Sequence, residues 1–588
     1  MPPQERGGDS WWRPELKGND YDLFGDAYDD KAYRTLASAW KIDVAETPYL
    51  KWVRELSDSG WIHLRLLVDF MSIGAAPQHW RNLDTVRASG ENLLNGEDIT
   101  RRRDERKRRI ARTKVSILDY FPDSVEKVEL DCAQDLQKHL DEDSVDDAIQ
   151  FRLYVVEDLS RDVIEAFGDK FKIEPDFFRA HIVDFAWYNV RDRWRNPPLL
   201  DIVSRHQNWM QLRYVTARYF DFNEKSSQKE QRSSFTRAAE QAAGFNILRR
   251  VDDDLSNKSY WDKQGAIVGL SRSRATFWLQ PDSPQQTTQV GILLLDPTVT
   301  EGVPLWRGRR TLWPMPQYGQ EVPSRPPDGD NLFDHFVFWA QQTNLYPNCT
   351  TENPLKTLIP IQVLLHFVCS EWLTMSDYIK TRLNQLDWEI VKPEFFRLGK
   401  KGVNNMLEKL HVFRRLVPLY REMVSETIRH LDQFSGRIQV QEPTTPCSRP
   451  WDTPHISISH YKSDLAQVKS QLEEYQGRID QLTSVVTAVI SIDNSRRSLQ
   501  DNRNIGRLTW LATLFIPLSL VAGIFSMQPN VSEISRYTFA VYFATSLPLG
   551  VVIAVAAFTL SLYQSKTQNK LDKLRGAVRS LWARQKHD

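Results

Sequence analysis

Near its end the sequence contains two long stretches without a charged residue, separated by a short polar loop. Residues 508–532 and 537–565 contain no Asp, Glu, Lys or Arg. The apolar core of the first stretch, Leu508–Met527, is 20 residues long. As a helix rising ~1.5 Å per residue it would cross the ~30 Å hydrocarbon layer of a bilayer. We therefore predict two transmembrane helices, at 508–527 and 538–563, joined by an outer loop at 528–537.

The basic residues around these stretches predict their orientation. The loop contains one basic residue, Arg536, whereas both outer flanks contain several: Arg496, Arg497, Arg503 and Arg507 before the first stretch, and Lys566, Lys570, Lys573, Arg575, Arg579, Arg584 and Lys586 after the second. Positive residues accumulate on the cytosolic side of a membrane. We therefore expect both termini in the cytosol and a basic cytosolic tail at 564–588. We favour the plasma membrane, with an organellar membrane as the alternative.

A heptad-like pattern precedes the first stretch. Apolar residues alternate in steps of three and four, as in a coiled coil, at Leu465, Val468, Leu472, Tyr475, Ile479, Leu482, Val486 and Val489. The pattern follows a Pro-rich linker at 437–458 and predicts a stalk helix at 459–507 that continues into the membrane, about 65 residues and on the order of 100 Å in all. Its seam predicts packing against copies of itself, or against helices of the same chain within 353–386 and 402–434. Both arrangements can hold together.

The remaining sequence predicts a large cytosolic domain of mixed class. Short β-rich runs within residues 149–156, 213–216, 266–269 and 290–295 alternate with helical segments at 160–167 and 175–183. We expect an α/β/α sandwich with insertions at 46–330 and a helical part at 331–436, preceded by a tail at 1–45. Residues 300–328 are rich in Pro, Gly and charge and predict a long loop. The fold class is therefore an α+β membrane protein.

Composition excludes several classes of function. The chain of 588 residues has 76 Lys+Arg and 76 Asp+Glu, which excludes a highly basic nucleic-acid packager, and we expect no nucleic-acid partner. Its mean hydropathy of −0.48 excludes a membrane protein made of many helices. Four scattered cysteines form neither a disulfide framework nor a thiolate metal site. Phosphate-loop, zinc-protease and dinucleotide motifs are also missing, so we expect neither an enzyme nor a bound cofactor.

Two kinds of charged segment leave alternatives open. The basic run Arg101–Lys114 can bind an anionic partner, such as nucleic acid, an import receptor or lipid headgroups, but a solvated helix face is the preferred interpretation. The acidic patches at Asp141–Asp147 and Asp252–Asp254 can bind a hard cation. For them we prefer exposed loop charge.

The first apolar stretch resembles the first span of CorA-like divalent cation (magnesium) transporters. The matching elements are Leu508-Thr509, Ala512-Thr513, Phe515-Ile516-Pro517-Leu518-Ser519 and Ala522-Gly523-Ile524-Phe525-Ser526-Met527-Gln528. The family pattern at the end is Ala-Gly-Ile-aromatic-Gly-Met-Asn, so this sequence departs from it at Ser526 and Gln528. The layout of the soluble region is similar to that of divergent fungal members.

The resemblance implies a homopentamer whose first spans surround one axial pore in the lipid bilayer. The residues that it places along the pore are Asn502, Ile505, Leu508, Ala512, Ile516 and Ser519, with a selectivity filter formed by Ser526, Met527 and Gln528. Glu533 in the outer loop is expected to attract cations. Ile505 and Leu508 would form the apolar gate, and the membrane potential would drive a divalent cation, with Mg²⁺ preferred, without ATP.

The departures at Ser526 and Gln528 leave two alternatives. One is a membrane-anchored regulatory or scaffold protein of the same fold that does not conduct ions. The other is a transporter of Zn²⁺ or another transition metal by proton coupling, which resembles the zinc-transporting branch of the family.

Overall fold

The computed structural model describes most of the chain between Thr47 and Thr559. The described residues fall into two compact units, one within Met1–Thr483 and one within Ser484–Asp588. The predicted tails at 1–45 and 564–588 lie outside the described residues, as does most of the basic run. The described residues are 47–73, 111–130, 132–142, 148–183, 200–220, 228–243, 245–247, 249, 251–254, 266–281, 288–307, 312, 315–316, 318–319, 325–342, 358–391, 400–435, 458–527, 537, 539–553, 555–556 and 559.

An eight-stranded mixed sheet forms the centre of the first unit. Its order is β2-β1-β3-β7-β6-β4-β8, with β5 paired to β6. β3 and β7 are parallel, and the other pairs are antiparallel. The strands are β1 Lys114–Tyr120, β2 Val125–Leu130, β3 Phe151–Glu157, β4 Trp209–Phe220, β5 Val251–Asp253, β6 Ile267–Leu279, β7 Gln289–Leu295 and β8 Val303–Pro304.

Short helices cover one face of the sheet and share a core with it. They are α1 Pro48–Asp58, α2 Arg65–Ile73, α3 Ala133–Glu142, α4 Arg161–Phe171 and α5 Pro175–Ile182. Tyr49, Leu136 and Phe177 from these helices join Tyr154 and Trp278 of the sheet in one buried cluster. This packing follows from helices that each have one apolar face. Two further described helices of this unit are α6 Asp201–Ser204 and α7 Gln228–Ala243.

Three other helices cover the opposite face, and two of them have 34 and 36 residues. They are α8 Leu332–Ala340, α9 Leu358–Val391 and α10 Lys400–Ser435. Successive residues of a strand point to opposite faces: Trp278 belongs to the first cluster, whereas the ring of Phe277 lies 5.9 Å from that of Phe434 in α10. The Trp372 indole of α9 also donates to the Arg213 carbonyl of β4 at 3.0 Å. The mixed sheet thus has helices on both faces.

One helix of 68 residues, α11 Ile458–Phe525, passes from the first unit into the second. The second unit also contains the shorter apolar helix α12 Phe539–Ile553. Pro517 lies within α11, yet the helix continues to Phe525. The long continuous helix expected from the heptad-like pattern is therefore present.

Three local expectations differ from the structure. β1 and β2 were not predicted, and the loop expected at 300–328 contains β8, which pairs with Arg218 and Tyr219 of β4. The interpretation of Asp252–Asp254 as exposed loop charge is wrong. Asp252 accepts a hydrogen bond from Arg272 at 3.2 Å. Asp254 is 1% exposed and accepts a hydrogen bond from the Tyr378 hydroxyl.

Candidate pore-lining surface

The six residues expected to line a pore lie on one face of α11. At about 100° per residue, Asn502, Ile505, Leu508, Ala512, Ile516 and Ser519 fall within an arc of about 120°. All six are exposed within the chain, with Leu508 68% and Ile516 67% exposed. This surface, called the pore face below, is available to another copy or to a passing ion.

The opposite side of the same helix packs inward. Among the side chains described between 501 and 527, Val521 is the buried one, at 8% exposure. It lies roughly 170° from the centre of the pore face at about 100° per residue. In α12 of the same unit, Ser546 is 2% exposed. Burial within the unit therefore spares the pore face.

The rest of this part of α11 exposes large apolar side chains. Leu511, Phe515, Leu520 and Ile524 are 53%, 57%, 61% and 61% exposed. Among the described helices, one is long and apolar enough to cross a membrane, by length and composition, and that helix is α9. Its most apolar part is 67% buried, so it is a core helix of the first unit. The two C-terminal spans remain predictions.

The structure describes part of the expected filter. The Ser526 N–H donates to the Ala522 carbonyl at 2.9 Å, which extends the helical pattern by one residue, and the Met527 N–H donates to the Ile524 carbonyl at 3.3 Å. Ser526 follows Ser519 by seven residues and continues the pore face. Gln528 and Glu533 lie outside the described residues. The structure therefore brings Ser526 together with the pore face.

A stripe of small uncharged residues extends the pore face towards the first unit, and the motif comparison missed it. Ser484, Ala488, Ser491, Ser495 and Ser498 alternate in steps of four and three up to Asn502, and all are exposed. They lie within about 40° of Asn502 around the helix. We call them the hydroxyl stripe. The three-four spacing was the signal in the sequence that could have revealed it.

Before that stripe, the seam of α11 is buried within the chain. Leu465, Leu472 and Ile479 are 0%, 1% and 0% exposed. Ser376 of α9 donates to Gln471 at 2.7 Å, and Arg478 donates to Asn384 of α9 at 2.7 Å. The intramolecular packing of the seam is therefore confirmed for this part. Val489, the last seam residue, is 38% exposed, so the buried seam ends at Val486.

The core of the first unit contains a network of buried charge. Asp296, directly after β7, bonds to the Arg249 guanidinium at 2.5 and 2.6 Å. Although burial opposes it, this guanidinium holds the Asp296 pKa below its usual value. Burial lowers the pKa of neighbouring His181 to about 3. Among the described residues, no group of three or more His, Cys, Asp or Glu side chains could hold a metal ion.

Comparison with known proteins bears on the helix that carries the pore face. Residues 453–561 match the family model described as CorA-like Mg²⁺ transporter protein. This segment is therefore similar to the CorA-like family. The matched residues begin just before α11 and include the hydroxyl stripe, the pore face and α12.

Comparison of the whole chain with solved structures and with curated proteins finds weaker similarity. Among solved structures, the complete structure of the CorA magnesium transporter from Methanocaldococcus jannaschii matches with 10% identity and a TM-score of 0.33. That match covers 76% of this chain and 96% of the other. No curated protein matches the chain.

Proposed function

We propose that this chain is a membrane transporter that conducts a divalent metal cation, with Mg²⁺ as the preferred ion, and that it is not an enzyme. The first span, within α11, lines an axial pore in a homopentamer, and the second span, which contains α12, faces lipid. Both termini are cytosolic. The observation that carries the proposal is that the CorA-like match coincides with the uncharged, exposed part of α11.

The exposed surface of this segment suits a bilayer better than water. Residues 508–525 are helical and rise about 27 Å at ~1.5 Å per residue, close to the ~30 Å hydrocarbon thickness. Their exposed Leu, Ile and Phe side chains each gain about 1.5–3 kcal/mol on full transfer from water to an apolar phase. A uniformly apolar helix surface of this length is typical of a membrane span.

Self-association is supported by a second exposed stripe on α11. Val485, Val489, Ile492 and Leu499 are between 38% and 64% exposed. At about 100° per residue they lie roughly 95° around the helix from the hydroxyl stripe. In a ring of parallel helices, the surface beside the axis contacts the neighbouring helix. This apolar stripe therefore fits against a neighbouring copy, while the hydroxyl stripe and the pore face border the axis.

The chemistry along the pore face suits a hydrated divalent ion. Asn502, Ser519 and Ser526 offer amide and hydroxyl oxygens, and none of the pore-face residues is charged. Mg²⁺ gives up its water slowly, so such oxygens recognise it through its water shell. Ile505 and Leu508 would form rings near the cytosolic end that close by dewetting. A divalent ion gains about 2 × 2.3 kcal/mol over 100 mV, so no ATP site is needed.

The test is uptake of Mg²⁺, Zn²⁺, Ni²⁺ and Co²⁺ into liposomes that contain the purified oligomer, at an imposed inside-negative potential. We expect potential-dependent uptake with Mg²⁺ preferred. Ala512→Phe should reduce flux more than about tenfold, because one added ring per subunit fills a narrow constriction. Leu511→Phe is the matched control and should retain flux, because Leu511 lies about 100° away from Ala512 around the helix.

Each contrary result favours a stated alternative. No flux from a correctly assembled oligomer would favour the non-conducting scaffold. Uptake of Zn²⁺ but not Mg²⁺ would favour the transition-metal transporter. Equal effects of Phe at positions 511 and 512 would contradict the assigned pore face.

Gln528 is the filter residue that most affects ion choice in this proposal. Its amide carbonyl takes the place of the family's Asn with one more methylene. Gln528→Ala should therefore lose or broaden divalent uptake while the oligomer still assembles, and Gln528→Asn should preserve or sharpen selectivity. Unchanged uptake and selectivity in Gln528→Ala would remove Gln528 from the filter.

A further inference from the structure

Three segments of the first unit meet at Asp158, directly after β3. Asp158 is 2% exposed and has a left-handed backbone, with a φ of 59°. Its N–H donates to the Leu295 carbonyl of β7 at 3.2 Å. Its carbonyl accepts hydrogen bonds from the Thr113 hydroxyl at 2.8 Å and the Asn246 amide at 3.0 Å. The residue thus joins the start of β1, the end of β7 and the segment 245–247 that follows α7.

Among the described residues, one of the two carboxyl oxygens of Asp158 has a hydrogen-bond donor. Its Oδ1 accepts from the Asn246 N–H at 2.8 Å, whereas its Oδ2 is buried and has no hydrogen-bond partner in the described part of the chain. An ionised carboxylate needs donors at both oxygens, whereas a protonated one donates its own O–H. The junction therefore suits the neutral acid.

The charged groups around the junction act on Asp158 in both directions. Burial raises the pKa of Asp158 to about 7, opposed by the Asn246 N–H. Glu157 and Asp296 raise it further, whereas Arg112 lowers it.

The charged residues near Asp158 also interact with other residues. Glu157 lies 3.8 Å from Lys114 in β1 and 3.5 Å from the Asn331 amide, and Asp334 of α8 also acts on it. Asp296 is bound by Arg249. Arg112 is exposed at the end of the basic run that leads into β1.

We propose that Asp158 is a proton-controlled latch that holds the start of β1 and the segment 245–247 against the end of β3, and releases them when it ionises. In the closed state the carboxyl group is neutral, so no charge is buried at the oxygen that lacks a donor. Ionisation places a negative charge there, beside Glu157.

The direction of the pH effect follows from the pKa difference between the closed and open junction. In the open state Asp158 has the ordinary carboxyl pKa, so it binds fewer protons than the closed state between about pH 4 and 7. The equilibrium constant for closing the junction therefore falls about tenfold for each pH unit across this window and becomes constant above about pH 7. The stabilisation of the closed junction by protonated Asp158 is fully present at low pH and is lost as the pH rises.

The test is hydrogen–deuterium exchange of the full-length protein in detergent between pH 5 and 8.5, corrected for the intrinsic exchange rate. The readout is the protection of peptides that contain Thr113 or Asn246, relative to peptides from β6. In the wild-type protein, this relative protection should fall about tenfold per unit from pH 5 to 7 and then become constant. Asp158→Asn keeps the shape and supplies an N–H donor, so its junction should stay protected at every pH.

Glu157→Gln is the matched control, because it removes the neighbouring carboxyl and leaves Asp158 in place. Its junction should retain the fall in protection, with the midpoint at lower pH because one repulsive charge is gone. A flat wild-type profile would overturn the proposal even if Asp158→Asn failed to fold. A fall of equal size in Asp158→Asn would also overturn it, since another group would then be titrating.

Discussion

Replacing Ile479 with alanine tests whether the seam of α11 belongs to the chain's own core. Ile479 is 0% exposed, and its neighbour Arg478 binds Asn384 and Asp387 of α9 at 2.7 and 3.2 Å. The substitution removes three carbon atoms at ~0.8 kcal/mol each, or about 2.4 kcal/mol of transfer free energy. The cavity left behind raises the cost within the usual range of about 2–5 kcal/mol.

The magnitude converts into an exchange rate. At about 1.4 kcal/mol per factor of ten, 2.4 kcal/mol increases the population of molecules with the seam undocked about fifty-fold. Backbone amides of α11 between Leu465 and Leu482 should lose protection from hydrogen exchange by at least that factor. Because the partners are in the same chain, this loss should not change with protein concentration.

Ile492→Ala is the matched control, since it makes the same change on the same helix at a residue that is 54% exposed. It should leave the protection of residues 465–482 unchanged. Its expected effect is on assembly, because Ile492 belongs to the exposed apolar stripe assigned to a neighbouring copy. Wild-type protection in Ile479→Ala would refute the intramolecular packing, and a loss that depends on protein concentration would assign the seam to self-association instead.

Three further substitutions test the first unit. Asp119→Ala should destabilise it by about 3–5 kcal/mol in guanidinium unfolding, because it removes the carboxylate that bonds to the buried guanidinium of Arg152 at 2.5 and 2.8 Å. The double change Asp119→Leu with Arg152→Met should cost much less, and equal costs would contradict this account. Glu165→Ala should lower the free energy of unfolding by about 1–3 kcal/mol and expose α1 to proteolysis, since Glu165 accepts hydrogen bonds from the residues that begin that helix. An unchanged rate of cleavage in α1 would contradict this role of Glu165. Burial lowers the pKa of His430 to about 4, so the stability of the first unit should fall as the pH drops from about 6.5 to 4. His430→Gln should lessen that fall in thermal unfolding scans. An unchanged pH profile in this variant would exclude His430 as a cause.

The central strands could be predicted because their short apolar sequences are typical of buried β-strands. β3 and β7 are buried on both faces, and the runs Phe151–Val156 and Val290–Leu295 read as nearly continuous apolar sequence. β2 differs because it is an edge strand with four exposed residues in Val125–Leu130. Its Glu and Lys side chains suit a charged edge but also suit a loop. Only its pairing with β1, which registers Ile117 against Val128, identifies it as a strand.

At the candidate site, residue spacing predicts which residues share a helix face but not what that face contacts. The spacing from Asn502 to Ser519 is that of one helix face, and the sequence alone could establish this much. A lipid-facing stripe would have the same spacing. The burial of Val521 identifies one residue of this part of α11 that the unit itself covers, and the assignment of the opposite face to a pore stays a prediction. The charge of Asp254 indicated an exposed residue, but its side chain is buried and accepts a hydrogen bond from Tyr378, 124 residues away in the sequence.

The same three-four spacing recurs in several stripes along α11, and the chemistry of each stripe suits it to a different contact. The Leu, Val and Ile seam up to Val486 is buried by helices of its own chain. The hydroxyl stripe that follows gains little free energy from dry packing, because each buried hydroxyl would need a partner, so it remains suited to water. Beyond Asn502 the pore face changes to Ile and Leu, which repel water and can close a narrow passage. One uninterrupted helix therefore presents a buried apolar seam, an exposed hydroxyl stripe and an exposed face that changes to Ile and Leu.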